Sequence, residues 1–124
     1  QPLFPWALPL ATCSYAVLKS DAGDGCGLGT TRAVGTWIKD ESPFGVRDLG
    51  GNVAEWVADW YAADYYTNSP VADPTGPATA ILRVTRGGHF QAGAATARAG
   101  NRSATKATET SPAIGFRCAQ DLNP

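Results

Sequence analysis

Phe44-Gly-Val-Arg-Asp-Leu-Gly-Gly-Asn-Val-Ala-Glu-Trp-Val-Ala-Asp-Trp60 gathers three glycines, two tryptophans and four ionisable residues into one short segment. That mix is too dense for a plain amphipathic helix. Gly50 and Gly51 permit backbone angles closed to other residues, so the chain can turn sharply there and present its own carbonyls. Asn52 is a good helix N-cap. Val53, Trp56, Val57 and Trp60 follow at spacings of three and four, which predicts a short helix with a tryptophan-rich stripe facing the core and continuing toward Tyr66. Asp48 and Glu55 flank backbone carbonyls, and two carboxylates plus carbonyls suit a hard cation such as calcium. The alternative is a turn capped by Asp48 and a helix start favoured by Glu55.

Two more motifs lie downstream: Leu82-Arg-Val-Thr-Arg-Gly-Gly88 and Gly115-Phe-Arg-Cys-Ala119. In order and approximate spacing, the three together resemble the signature series of the formylglycine-generating enzyme family, also called the sulfatase-modifying factor family. Pro5-Trp6 and the run from Gly29-Thr30 to Val34-Gly35 resemble its upstream segments, with Ala7 and Ala33 replacing a glycine and a proline. The resemblance implies an α+β, C-type-lectin-like fold, rich in loops. It also implies that residues 1–124 are the C-terminal part of a single domain whose N-terminal part is absent from this chain. A fragment, or one subunit of a split domain, is therefore expected; a compact, shortened family member is the alternative.

The same resemblance sharpens the calcium expectation. The family's structural site matches Asp48, the carbonyls of Gly51 and Val53, and the Glu55 carboxylate. A second family site, near Tyr15 to Leu18, has Val17 where a side-chain oxygen is needed and is not expected here. Asn52, Trp56, Gly115, Phe116 and Arg117 are expected to be structural. Arg98 and Arg102, four apart, share a face of a helix or strand; a guanidinium fork there suits a carboxylate such as Glu55 or Asp59.

The chain departs from its relatives where their chemistry lies. The family's oxidases bind copper(I) through a cysteine pair after Arg-Gly-Gly, thiolate and copper(I) both being soft. Here that segment reads His89-Phe-Gln-Ala-Gly-Ala-Ala-Thr-Ala-Arg98, without cysteine. No copper is expected. His89, the single histidine, has no neighbouring thiolate and is read as structural or surface. No nucleophile elbow or phosphate-binding loop is present.

Cys13 and Cys26 bracket a Gly/Asp-containing loop whose length fits a disulfide worth roughly 3 kcal/mol through the unfolded state; two buried thiols are the alternative. A disulfide places the chain outside the cytosol, periplasmic or secreted. Cys118, at the end of an expected strand over 115–120, is read as a buried, inert thiol. Net charge is −1, which gives no reason to expect nucleic acid or an anionic membrane as partner. No apolar run is long enough to span a bilayer. Acidic residues crowd the middle and arginines the last third, so the two regions are expected to pair. With 14 Gly and 9 Pro, regular structure should be sparse. Ile81 to Arg86 alternates as a strand, 68–80 is a loop, and a short extended piece is expected around Val34 to Ile38. Asn101-Arg-Ser103 fits the glycosylation triplet.

These observations favour a non-catalytic, extracytoplasmic structural, binding or assembly module, working with another polypeptide as an accessory subunit. The competing readings are an oxidase or other enzyme with its reactive residues on the missing half, and a lectin-like module using Trp37, Trp60, Tyr61, Tyr65 and Tyr66.

Overall fold

A computed structural model describes residues 3–37 and 39–120. Its centre is a four-stranded sheet of order β3-β2-β1-β4, with β1 Ala54–Trp60, β2 Leu82–Arg86, β3 Ser103–Lys106 and β4 Ile114–Gly115. β1 pairs with β2 and β2 with β3 antiparallel, while β1 and β4 run parallel. Helical structure among the described residues is confined to 3-10 turns at Asp24–Gly27, Tyr65–Thr67 and Ala94–Ala97. Loops carry the rest.

The helix expected from Val53 to Trp60 is instead β1. The same residues read equally well with period two, Trp56 and Trp60 on one face and Glu55, Val57 and Asp59 on the other. Valine and tryptophan also suit a pleated surface. Pairing decides the matter: Glu55 lies opposite Arg86 and Trp56 opposite Thr85, then a register shift leads to Trp60 opposite Arg83. Asn52 is accordingly no N-cap. Its φ is +63°, and its side chain accepts from the Arg32 amide at 2.9 Å and donates to the Arg32 carbonyl at 3.1 Å.

Four residues from three distant segments dock on Gly51-Asn52. The Gly51 amide donates to the Gly87 carbonyl and the Asn52 amide to the Val17 carbonyl, both at 2.8 Å, while the Asn52 carbonyl accepts from Phe90 at 3.0 Å. Arg32 is the fourth partner. Gly51 has φ +82°, and a Cβ there would lie 2.7 Å from the Val17 carbonyl oxygen, so glycine is required twice over. Beside this crossing lies an apolar cluster of Phe4, Trp6, Ala16, Leu18 and Ala97. Trp6 stacks between Phe4 and Tyr15 at 5.3 and 5.8 Å, and its indole N–H reaches the Leu10 carbonyl. Val17, Phe90 and Ala113 form a second cluster on the other side of the 16–18 segment.

Cys13 and Cys26 are disulfide-bonded, with Cα atoms 5.8 Å apart. Cys118 differs from its expectation: β4 ends at Gly115, so Phe116 and Cys118 leave the sheet and are exposed, the thiol free. β3 had no period-two apolar signal because it is an edge strand with three of its four residues exposed. Val34 to Trp37 is irregular, and Ile38, the end of the extended piece expected there, lies outside the described residues.

Candidate functional site

β1 and β4 bring the charged groups of the central stretch together. Glu55 pairs in register with Gly115, so Arg117, two residues on, is carried toward the same carboxylate. Arg117 Nε donates to Glu55 Oε2 at 2.6 Å and Nη2 to Oε1 at 2.5 Å. Nη1 donates to the Arg47 carbonyl at 2.9 Å and Nη2 to the Asp48 carbonyl at 2.7 Å. Glu55 raises the already high pKa of this guanidinium, burial opposing it. This fork joins the acidic middle to the basic end, as the charge distribution suggested.

Asp48 is held from three sides. Its φ is +56°, its Oδ2 accepts from the Gly35 amide at 2.6 Å, and its own amide donates to Asp40 Oδ2 at 2.8 Å. Asp40 is 1% exposed and its Oδ1 has no partner. Burial foremost pushes its carboxyl up to about 6; the Asp48 amide opposes this, and the Asp48 charge adds to it. Arg47 is engaged elsewhere, with Glu41 at 2.8 Å.

Asp48, Gly51, Val53 and Glu55 all line one cavity of about 250 Å³, rimmed by Val34, Phe116 and Arg117. The donor types, two carboxylates and backbone carbonyls, fit calcium. Among the described residues no three His, Cys, Asp or Glu side chains converge on one point, so a cation here would depend on those carbonyls.

The arginine fork expected from Arg98 and Arg102 takes another form. Arg98 is exposed, and Glu55 is taken by Arg117. Arg102 lies over the rings of Tyr61 and Tyr66, 5.1 and 4.5 Å from their centroids, and donates to the Ala62 carbonyl. Arg83 covers Trp60 at 3.7 Å and Arg32 covers Trp37 at 4.3 Å. The aromatics of the lectin-like reading thus each have an arginine over one face, or, for Tyr65, pack edge-on against Tyr66. His89 accepts the Gln91 amide through Nδ1 in its own turn. The segment from His89 to Arg98 is a packed corner: Phe90 and Ala97 are buried, and Thr96 lies against Gly88, where φ is +70° and a Cβ would clash. Asp40 and the Glu55 pairing of Arg117 were not singled out from sequence; the second had a signal in opposite charges on flanking motifs.

Residues 18–122 match the sulfatase-modifying factor enzyme 1-like domain, and the chain belongs to that family. It is 40% identical over 82 residues to a formylglycine-generating enzyme of Streptomyces coelicolor, covering 64% of this chain and 26% of the enzyme. It is 37% identical over 84 residues to the serine/threonine-protein kinase pkn1 of Chlamydia pneumoniae, covering 66% of this chain and 14% of that protein. PvdO from Pseudomonas aeruginosa superposes with a TM-score of 0.69 at 27% identity, over 86% of this chain and 39% of that one. The fold is therefore of the formylglycine-generating-enzyme type, and the chain spans well under half the length of each of these relatives.

Proposed function

We propose that this chain is the C-terminal part of a sulfatase-modifying factor domain, serving as a non-catalytic, extracytoplasmic module for structure, binding or assembly. The observation that carries this reading is the segment from His89 to Arg98, where the family's oxidases have their copper-binding cysteines and this chain has none. Cys13 and Cys26 are tied to each other, so neither is free to substitute. The disulfide supports an oxidising compartment. Exposed Val34 and Phe116, which both line the cavity beside Arg117, support a covering polypeptide as partner: the remainder of the domain or another subunit.

The cavity beside Arg117 supports structural calcium on Asp48, Glu55 and the carbonyls of Gly51 and Val53. Calcium there would tie the 48–53 turn to β1 and carries no reaction step. The kinship with formylglycine-generating enzymes favours one competing reading, an oxidase completed by residues outside this chain. Copper content and oxygen consumption with a cysteine-containing peptide separate the two: neither is expected, and both together would overturn the non-catalytic reading. Native mass spectrometry of unreduced protein tests the rest. A co-travelling polypeptide and a loss of about 40 Da with chelator are expected for calcium on a shared domain.

A further inference from the structure

The cavity assigned to calcium already contains a cation. All donor nitrogens of Arg117 are directed at oxygen atoms of this one site: both Glu55 oxygens and the Arg47 and Asp48 carbonyls. A fork of this kind uses the same carboxylate lone pairs that a calcium ion bound by both oxygens would need.

We propose that Arg117 is a built-in competitor for calcium, an internal cation that occupies Glu55 in the metal-free chain and keeps the affinity of the site low. The inference rests on the calcium reading above. Charge supports it: Asp48 and Glu55 are the carboxylates lining the cavity, and one guanidinium offsets one of them, whereas calcium affinity rises with the number of charged ligands. Arg47 adds little to that offset, since its charge is paired with Glu41. Position supports it too. Arg117 lies two residues beyond the end of β4 with its side chain 38% exposed, so its backbone is outside the ladder and the guanidinium has solvent to move into when a divalent ion arrives. The arginine would then act as a latch that closes the 47–48 turn onto β1 in the absence of metal.

The test is calcium titration by calorimetry on the chain and its Arg117→Gln, Arg117→Lys and Glu55→Gln variants, with thermal unfolding in calcium and in chelator. Arg117→Gln removes the charge and is expected to bind calcium about tenfold more tightly, with a larger chelator-induced fall in Tm than the parent. Arg117→Lys keeps the charge but loses the fork, and is expected to lie between. Glu55→Gln should abolish binding. If the parent binds calcium and Arg117→Gln binds equally or more weakly, Arg117 orients Glu55 and the competition inference fails while the calcium reading stands. If no protein binds calcium, both fail. Near-ultraviolet circular dichroism reports folding; should Arg117→Gln not fold, Arg117→Lys decides, tighter binding supporting competition and equal or weaker binding overturning it.

Discussion

The two halves of the central stretch are held by different forces. At Gly51-Asn52 the chain is fixed by neutral backbone hydrogen bonds and by a backbone-to-backbone approach to Val17 that leaves no room for a side chain. On either side of that crossing, at Asp48 and Glu55, the contacts are made by an arginine whose side chain is 38% exposed: a salt bridge to the Glu55 carboxylate and a hydrogen bond to the Asp48 carbonyl. The first kind of contact is insensitive to salt and intolerant of added atoms. The second is partly open to solvent, so salt weakens it. A single short segment thus joins a rigid crossing to an adjustable site.

Substitution at the crossing should have the largest effect. Gly51→Ala combines a left-handed backbone with a contact too short for a Cβ, so a loss of about 3 kcal/mol or more is expected in urea unfolding, unchanged between 0.1 and 1 M salt. A loss below about 1 kcal/mol would show that the crossing is not rigid.

Asp40 sharpens the comparison from the ionic side. Its native pKa is raised from 3.8 to about 6, chiefly by burial, so the native state holds a proton more tightly than the unfolded chain. The associated stability is therefore full below about pH 4 and lost as pH rises through 6. Asp40→Asn, studied in chelator, should flatten that fall and gain roughly 1 to 2 kcal/mol over the parent at pH 8. Equal pH profiles for parent and variant would remove Asp40 from the adjustable site.

The smallest effect belongs to Glu55→Gln without metal. The fork is partly open to solvent, so a loss on the order of 1 kcal/mol is expected, shrinking in 1 M salt. A larger, salt-independent loss would mean that both halves of the stretch are equally rigid.

Much of this was legible in the residues. The spacing of Cys13 and Cys26 indicated their disulfide, and the alternation from Ile81 to Arg86 indicated β2. The three motifs indicated the family. Val53 to Trp60 misled because apolar residues at 53, 56, 57 and 60 satisfy a helical period, while the strand is selected by partners 23 to 60 positions away that no local pattern contains. Arg102 misled for a related reason: a carboxylate was the obvious partner, but two tyrosine rings were nearer in space. Asp40 looked like one acid among several, because burial is a property of the fold and not of the run Lys39-Asp40-Glu41.

The pairing of β1 with β4 also sets a timetable. Arg117 is 62 positions beyond Glu55 and 69 beyond Asp48. During synthesis at about 5 to 20 residues per second, roughly 3 to 12 seconds separate the two partners of this fork. Until then Glu55 lacks its partner, so this fork is among the last contacts of the sheet that a growing chain can complete.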